Sequence, residues 1–309
     1  MRVLVVGAGV VGLTCAVRLC EDGHDVHVMA RDLPLETVSA VAAAWWYPYL
    51  AQPQDRVATW SARTYEVLGE LAGELPFVRM RRSHELFDGR PAEPWWAGAV
   101  PDLTRDDSAP QGWSGAWTFT APVVEMRHYL PWLVERLEAA GGTLSRTALP
   151  ALPAGGDVVV NASGMGNRLL ASDASVHPVR GQVVRVAPCG VEDVWLAAAS
   201  GSALTYVVPR SEDVVVGGTQ EPDDWRADPD PQTARDILAR AARIVPQIAD
   251  TPVLGHRVGW RPSRPSVRLE TQVRDGASPV VHCYGHGGAG VTLSWGCADE
   301  VASHVAALG

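Results

Sequence analysis

Residues 3–12 read VLVVGAGVVG and are followed by apolar residues at helical spacing as far as Cys20. The run Val3–Val6 contains no polar residue, which is typical of a strand buried on both faces of a parallel sheet. A second short strand is predicted around Val26–Val28, after a helix that ends near Gly23. The sequence therefore predicts a β-α-β unit at its N-terminus.

The three glycines of this stretch have the GxGxxG spacing of a dinucleotide-binding turn. Gly7 permits a tight turn, Gly9 lets the backbone approach a pyrophosphate, and Gly12 lets the helix pack closely on the strand. The free N–H groups at the helix N-terminus would bind the anion. Because the motif lies between a strand and a helix, we expect a bound dinucleotide here.

The end of the second strand does not identify this dinucleotide. Arg31 and Asp32 stand where an acidic residue usually binds the ribose hydroxyls. Asp32 suits FAD or NAD, whereas Arg31 suits the additional phosphate of NADP, and both could instead be solvated turn residues. The N-terminal segment alone leaves FAD, NAD and NADP open.

Composition excludes several classes of function. The chain has 309 residues, of which 47% are hydrophobic and 20% charged, and a net charge of -9. Its length suggests two domains, and its negative charge argues against nucleic acid or an anionic membrane as a partner. It shows neither the roughly 20-residue apolar run of a membrane span nor a signal-peptide pattern. We therefore expect a cytoplasmic protein with a small-molecule substrate, and a homodimer is a possible assembly.

The chain contains no lysine, and its five cysteines show no metal-ligand spacing. The first fact excludes a Schiff-base lysine or a lysine general base. The second predicts free, mostly buried thiols and no metal site.

Further along the chain, strands and helices alternate in a way that predicts a discontinuous dinucleotide domain. Helical spacing marks residues 57–71 and 130–137, and the buried-type strand near residues 157–164 returns to the first sheet. Residues 76–120 show no lasting period and are predicted to form loops and short strands. Residues 181–186 and 206–218 have the alternation of an antiparallel sheet.

Two C-terminal stretches suggest a carboxylate clamp and a second anion-binding turn. Residues 259–270 read GWRPSRPSVRLE, in which two prolines hold Arg261 and Arg264 in extended backbone. Guanidinium groups held in fixed directions suit bidentate binding of a carboxylate. Residues 280–296 read VVHCYGHGGAGVTLSWG, a strand followed by a glycine turn and a helix whose positive end would stabilise a reduced flavin.

These motifs resemble the D-amino-acid oxidase family of FAD-dependent oxidases, which is related to D-aspartate oxidase and glycine oxidase. The resemblance covers nearly the whole chain. Besides the glycine turns, it rests on the alanine-rich segment that leads into Trp46, Pro48 and Tyr49, on PVRGQ at 178–182, on TYVVPR at 205–210 and on GGT at 217–219.

The resemblance implies noncovalent FAD and an α/β FAD-binding Rossmann-like domain, with a second, largely antiparallel substrate domain of α+β type. The FAD-binding segments are expected at 1–50, 120–178 and 256–309, and the substrate-binding segments at 51–119 and 179–255. The resemblance and the glycine motif together give this expected cofactor-binding set: Gly7, Ala8, Gly9, Val10, Gly12, Arg31, Asp32, Ser39, Ala43, Ala44, Trp46, Ser163, Gly164, Gly287, Gly288, Gly290, Val291 and Thr292.

The resemblance also implies three catalytic residues. Arg261 and the hydroxyl of Tyr206 would bind the substrate carboxylate, and the carbonyl of Gly288 would accept a hydrogen bond from the amine. A hydride would then pass from the substrate Cα to flavin N5, with O₂ as the second substrate and a 2-oxo acid, ammonia and hydrogen peroxide as products.

Trp45, Tyr47 and Val208 are expected to line the pocket, and such walls favour neutral D-amino acids. Ser202 replaces a lid tyrosine of the mammalian relatives, so a tyrosine lid is not expected. Arg210, Arg264 and Arg268 are expected to lie away from the substrate, and His286 to be a hydrogen-bonded scaffold residue. The alternatives are a D-aspartate or glycine oxidase, an NAD(P)-dependent dehydrogenase, and a Rossmann-type sensor without turnover.

Overall fold

A computed structural model describes residues 1–48, 50–197 and 204–309. In this part of the chain, 14 strands form one continuous sheet, and six α-helices pack against it. The helices and strands are β1 Arg2–Val6, α1 Val10–Glu21, β2 Asp25–Ala30, α2 Gln54–Ala72, β3 Val78–Phe87, β4 Thr104–Asp106, β5 Gly115–Val124, α3 Met126–Ala139, β6 Thr143–Arg146, β7 Val158–Asn161, α4 Asn167–Leu170, β8 His177–Val186, β9 Val194–Ala197, β10 Thr205–Pro209, β11 Val214–Gly217, β12 Glu221–Pro222, α5 Pro231–Ile244, β13 Val253–Arg274, β14 Ala277–His286 and α6 Gly290–Ala306. None of the described helices is both long and apolar enough to cross a membrane.

One half of the sheet is parallel, in the order β14-β7-β1-β2-β6. Residues Val3–Val6 are at most 7% exposed, as their unbroken apolar run predicts. Helices α1, α3 and α6 share one hydrophobic core with these strands. The predicted discontinuous Rossmann-like unit is therefore confirmed.

The other half is largely antiparallel, in the order β4-β5-β3-β9-β10-β11-β8-β13, with a single parallel pair between β3 and β9. Helix α5, capped by the Asp230 side chain on the N–H of Thr233 at 2.6 Å, covers one face of this half. The opposite face carries an apolar cluster of Val123, Val183, Val194, Val208 and Val215, which packs against the segment that follows β2. The predicted fold class is confirmed.

Strand β13 joins the two halves. It pairs with β8 from Val253 to Ser263 and with β14 from Ser263 to Arg274. Arg261 therefore lies where the parallel and antiparallel halves meet, next to the turn between β14 and α6.

The stretch 76–120 is more regular than its sequence predicts. It contains β3 and the first six residues of β5, two ten-residue strands that pair without interruption from Val78 opposite Val124 to Phe87 opposite Gly115. Both faces of β5 are largely buried, so its apolar residues do not alternate with polar ones. For β3 and β5 the expectation of short strands was wrong, because a strand buried on both faces loses the two-residue period. Between them, residues 88–114 form mostly loops and the three-residue strand β4, as expected.

Helix α2 belongs to a segment expected to bind substrate, but it packs against α6 of the parallel half. A Cβ on Gly296 would lie 2.4 Å from the backbone of Trp60, so the two helices touch along their backbones. Trp60 also donates from its indole nitrogen to Glu300 at 2.6 Å. The domain boundaries as such stay a prediction.

Candidate active site

The first glycine turn is too close-packed to accept side chains. Gly7 has φ +112°, and a Cβ there would lie 2.5 Å from the carbonyl oxygen of Ala162. A Cβ on Gly12 would lie 2.0 Å from the carbonyl oxygen of Gly7. Gly7 and Gly9 are partly exposed at the carboxyl edge of the parallel strands, whereas Ala8 is buried, and Gly7 lies beside Ser163 after β7.

The start of α1 has the features of an anion site. Gly9 provides no side-chain cap, and the first turn contains no acidic residue. The N–H of Val10 donates to Ser39 Oγ at 3.0 Å, and a Cβ on Gly9 would approach that same oxygen to 3.2 Å. Ser39 thus closes one side of a cradle that the helix N-terminus favours for phosphate.

Arg31 and Asp32 bind each other at the end of β2. The guanidinium donates from Nε at 2.9 Å and from Nη2 at 2.6 Å to the two carboxylate oxygens. This hydrogen bond from Arg31 is the main cause that lowers the pKa of Asp32. The carboxylate therefore stays ionised and can accept hydrogen bonds from ribose hydroxyls.

The second glycine turn lies against the strand that carries Arg261. The N–H of Gly287 donates to the carbonyl oxygen of Pro262 at 3.0 Å, and Gly288 is exposed. In the first turn of α6, Thr292 Oγ1 accepts from the N–H of Tyr47 and donates to its carbonyl oxygen, each at 3.1 Å. The start of α6 is therefore tied to the segment that follows β2.

Arg261 and Tyr206 converge because two glycines leave room for them. A Cβ on Gly181 would lie 2.5 Å from the guanidinium of Arg261, and one on Gly217 would lie 2.1 Å from the ring of Tyr206. Both side chains therefore lie flat across the sheet. Burial raises the pKa of Tyr206, while the charge and the hydrogen bond of Arg261 partly offset this rise. The phenol stays protonated at neutral pH, so the Tyr206 hydroxyl and the Arg261 guanidinium are both able to donate hydrogen bonds to a bound anion.

Three other arginines that the sequence offered are paired with carboxylates. Arg210 donates to Asp213 at 2.7 Å, Arg264 to Asp173 at 2.9 Å and Arg268 to Glu270 at 2.7 Å. Arg261 donates to the carbonyl oxygen of Thr219 at 3.0 Å and has no carboxylate partner in the described part of the chain. Of the four, Arg261 is the one whose charge is available to a substrate.

An aromatic wall stands beside this pair. The rings of Trp45 and Tyr47 stack with centroids 4.8 Å apart and planes 11° apart. The indole of Trp45 donates to Ser83 Oγ at 2.9 Å, and the hydroxyl of Tyr47 donates to Glu85 Oε1 at 2.7 Å. Ser83 and Glu85 were missed in the sequence, because they lie in the stretch whose strand period was not visible.

Trp46 takes a different place from its two neighbours. Its indole is fully buried, donates to the carbonyl oxygen of Ser61 at 2.9 Å and packs edge-on against Tyr65 and Trp96. Its side chain therefore packs in the core and does not face the two glycine turns. Two features predicted from sequence, Tyr49 and the lid position Ser202, lie outside the described residues.

His286 has a sulfur environment that its sequence spacing did not reveal. Its Nε2 lies 3.5 Å from Cys297 Sγ and 3.9 Å from Cys283 Sγ, and the three ligand atoms lie within 4.8 Å of one another. Burial lowers the pKa of His286 to about 4 and raises that of Cys297. The pKa of Cys283 is also raised: a hydrogen bond with Cys15 lowers it, but the hydrogen bond with Cys297 and burial outweigh that effect. All three groups are thus neutral at neutral pH, and the absence of a metal stays a prediction.

The sequence matches one family model and several relatives over nearly its whole length. A family model described as FAD dependent oxidoreductase matches residues 2–304. A D-amino-acid oxidase of Rubrobacter xylanophilus is 49% identical over 98% of this chain and 95% of the relative. A D-amino-acid oxidase of Streptomyces coelicolor is 41% identical over 97% and 95%, and a human D-aspartate oxidase is 37% identical over 97% and 93%.

The fold also matches solved structures over nearly the whole chain. The crystal structure of glycine oxidase from Geobacillus kaustophilus aligns with a TM-score of 0.82, covering 99% of this chain and 95% of the other, at 20% identity. At this identity the match concerns the fold alone. It agrees with the two-part sheet described above.

Proposed function

The chain belongs to the FAD-dependent oxidoreductase family, and on that basis we propose that it is a D-amino-acid oxidase for substrates with neutral side chains. The reaction converts the amino acid, O₂ and water into a 2-oxo acid, ammonia and hydrogen peroxide. The observation that carries the proposal is the convergence of Arg261 and Tyr206 beside the second glycine turn. Relatives named as D-amino-acid oxidases support it.

FAD is the cofactor of this family, so the NAD and NADP alternatives are set aside. The turn at Gly7, Gly9 and Gly12 fits its pyrophosphate, because the backbone there is free of side chains and faces a helix N-terminus. We expect Asp32 to bind the ribose, and the backbone from Gly287 to Thr292 to face the flavin. When bound, FAD supplies the hydride acceptor for the substrate Cα.

The remaining work falls to residues that position the substrate. Arg261 and the protonated Tyr206 hold the carboxylate through charge-assisted hydrogen bonds, and the carbonyl of Gly288 accepts one from the amine. Two fixed points on the substrate leave one face of Cα directed at the cofactor. Orientation therefore supplies the catalysis, and it selects the D-enantiomer.

The walls of the site support neutral side chains. Trp45 and Tyr47 present stacked rings, and Val208 belongs to the apolar cluster on the same face of the sheet. An acidic substrate would need a second cation, and Arg210, Arg264 and Arg268 are already paired. Glycine stays a second candidate substrate, because the stacked rings could leave a narrow pocket. The cytoplasmic location, the homodimer and the domain boundaries stay predictions.

Peroxide release across a panel of amino acids tests the proposal. The panel contains D- and L-valine, leucine, methionine and phenylalanine, together with D-aspartate, D-glutamate and glycine. We expect the highest kcat/KM with neutral D-amino acids and no turnover of L-enantiomers. A higher kcat/KM for D-aspartate or glycine than for every neutral D-amino acid would reassign the substrate. Activity on L-amino acids would reject the binding geometry.

A further inference from the structure

Three side chains with metal-ligating atoms converge where β14 packs against α6. Cys283 and His286 lie near the end of β14, and Cys297 lies in α6. Side chains three residues apart on a regular strand point to opposite faces. Gly285, which stands between Cys283 and His286, has φ +87° and interrupts this alternation. The two side chains therefore reach the same space as Cys297, and all three residues are at most 5% exposed.

The distances within this cluster match those around a bound ion. His286 Nε2 lies 3.5 Å from Cys297 Sγ and 3.9 Å from Cys283 Sγ, and all three atoms lie within 4.8 Å of one another. A zinc ion binds nitrogen at about 2.0–2.1 Å and thiolate sulfur at about 2.3 Å, and tetrahedral geometry then places nitrogen and sulfur about 3.6 Å apart. The three atoms can therefore surround one ion with the backbone as it stands.

A third thiol adjoins the cluster from another helix. Cys15 in α1 is fully buried and forms a hydrogen bond with the Cys283 thiol. Three thiols and one imidazole are a ligand set that structural zinc sites use. An ion bound here would connect α1, β14 and α6.

The chemistry of these ligands favours zinc over other common ions. Thiolate and imidazole suit Zn²⁺, whereas Mg²⁺ and Ca²⁺ prefer oxygen ligands. When Zn²⁺ binds, Cys283 and Cys297 release their two protons, so the complex of two thiolates and a neutral imidazole carries no net charge. With Cu⁺ the same complex would keep a negative charge, which is costly in a buried site.

Burial of the cluster is compatible with such a site. The binding of zinc to a structural site is coupled to folding, so the ion is taken up as the chain folds and needs no open channel in the folded protein. The expectation that the chain has no metal site rested on sequence spacing. That spacing does not reveal the cluster, because the side chains meet only through the bend at Gly285 and the packing of α6 on β14.

We propose that Cys283, His286 and Cys297 form a structural site for one zinc ion, with Cys15 as the candidate fourth ligand. The proposal goes beyond the oxidase function and does not depend on it. His286 directly precedes the second glycine turn, and Cys297 lies in the helix that follows this turn. A bound ion would therefore hold the two sides of the turn together.

The test measures the metal content of the flavin-containing protein, produced with zinc in the medium and then dialysed against a weak chelator. An equimolar amount of zinc is expected in the wild type, and Cys297→Ala should lose it because one ligand is missing. Cys189→Ala removes a half-buried thiol of the antiparallel half and, as the matched control, should keep the zinc. Wild-type protein without zinc, or a zinc content in Cys297→Ala equal to that of the wild type, would overturn the proposal.

X-ray absorption at the zinc edge gives a second measurement, which needs the wild type alone and so remains decisive if Cys297→Ala does not fold with its full flavin content. Sulfur is expected at about 2.3 Å and nitrogen at about 2.0–2.1 Å from the metal. A shell of oxygen and nitrogen without sulfur would place the zinc elsewhere and overturn the site. Neither measurement uses turnover, so failure of the zinc site leaves the proposed oxidase function intact.

Discussion

Gly181 lies directly beneath the guanidinium of Arg261, so that a Cβ at this position would come within 2.5 Å of both terminal nitrogens. The nearest atoms are the far end of a flexible side chain. Gly181→Ala is therefore expected to fold normally but to displace the guanidinium from its place beside Tyr206. Because a misplacement of about 1 Å can cost about 100-fold in rate, kcat/KM for neutral D-amino acids should fall by that order.

Flavin content and thermal stability are measured alongside the rate. Gly69→Ala, in α2, is the control, because a Cβ there has no atom within 4 Å and the rate should stay unchanged. Wild-type kinetics in Gly181→Ala would show that the guanidinium does not need its observed position.

Replacement of Arg261 by methionine removes the charge while it keeps much of the side-chain volume. Each charge-assisted hydrogen bond to the substrate carboxylate contributes about 1.5 to 3 kcal/mol, so kcat/KM should fall by at least tenfold. Arg257→Met, an exposed arginine on the same strand, is the control. Normal kinetics in Arg261→Met would move the carboxylate site to another arginine.

The two proposed catalytic side chains could be named from the sequence through its resemblance to the D-amino-acid oxidase family, and local signals predict the extended backbone that carries them. The prolines around Arg261 fix the backbone as extended, and β13 is extended from Val253 to Arg274. Tyr206 lies in a short β-type run that the structure confirms as β10. The glycine turns were equally visible, because backbone conformation and close packing demand glycine there.

The rest of the site depends on strand pairing between distant residues. Glu85 reaches the face of Tyr206 only through β9, more than 100 residues further along the chain, and no local pattern contains that relation. Gly181 and Gly217 belong to the PVRGQ and GGT motifs. That they leave room for the side chains of Arg261 and Tyr206 depends on which strands lie side by side. The sulfur atoms around His286 come together for the same reason.

The stability of the protein should fall between pH 6.5 and pH 4 because of buried histidines. His282 is fully buried, and its Nε2 is 2.8 Å from Gln272 Oε1. Burial, with a contribution from Arg268, lowers its pKa to about 4, against about 6.5 in the unfolded chain. In this pH window the unfolded state binds a proton that the folded state does not, so the free energy of unfolding decreases as the pH falls.

Urea unfolding at a series of pH values measures this effect. His282→Gln should flatten the curve between pH 6.5 and pH 4 relative to the wild type, by on the order of 2 kcal/mol across the window. His286, whose pKa is also lowered to about 4, keeps part of the slope. The exposed His128→Gln is the control and should follow the wild type. If the free energy of unfolding of His282→Gln fell with pH as steeply as that of the wild type, the lowered pKa of His282 would be contradicted.

FAD should leave the protein without covalent cleavage, because we propose that the two glycine turns bind it through backbone groups. Precipitation by acid or heat should release FAD into the supernatant, identified by chromatography against FAD, FMN and NADP standards. Flavin that stays with the precipitate, or a supernatant that contains another nucleotide, would contradict this mode of binding.

The central claim is that Arg261 and Tyr206 direct the Cα hydrogen of a D-amino acid to a bound flavin. Anaerobic mixing of the purified protein with D-leucine or L-leucine, followed by visible absorbance, tests it most directly because it observes the reductive half of the reaction alone. The account predicts that D-leucine bleaches the flavin completely and L-leucine leaves it oxidised. Bleaching by L-leucine, or an unbleached flavin with every neutral D-amino acid, would contradict it.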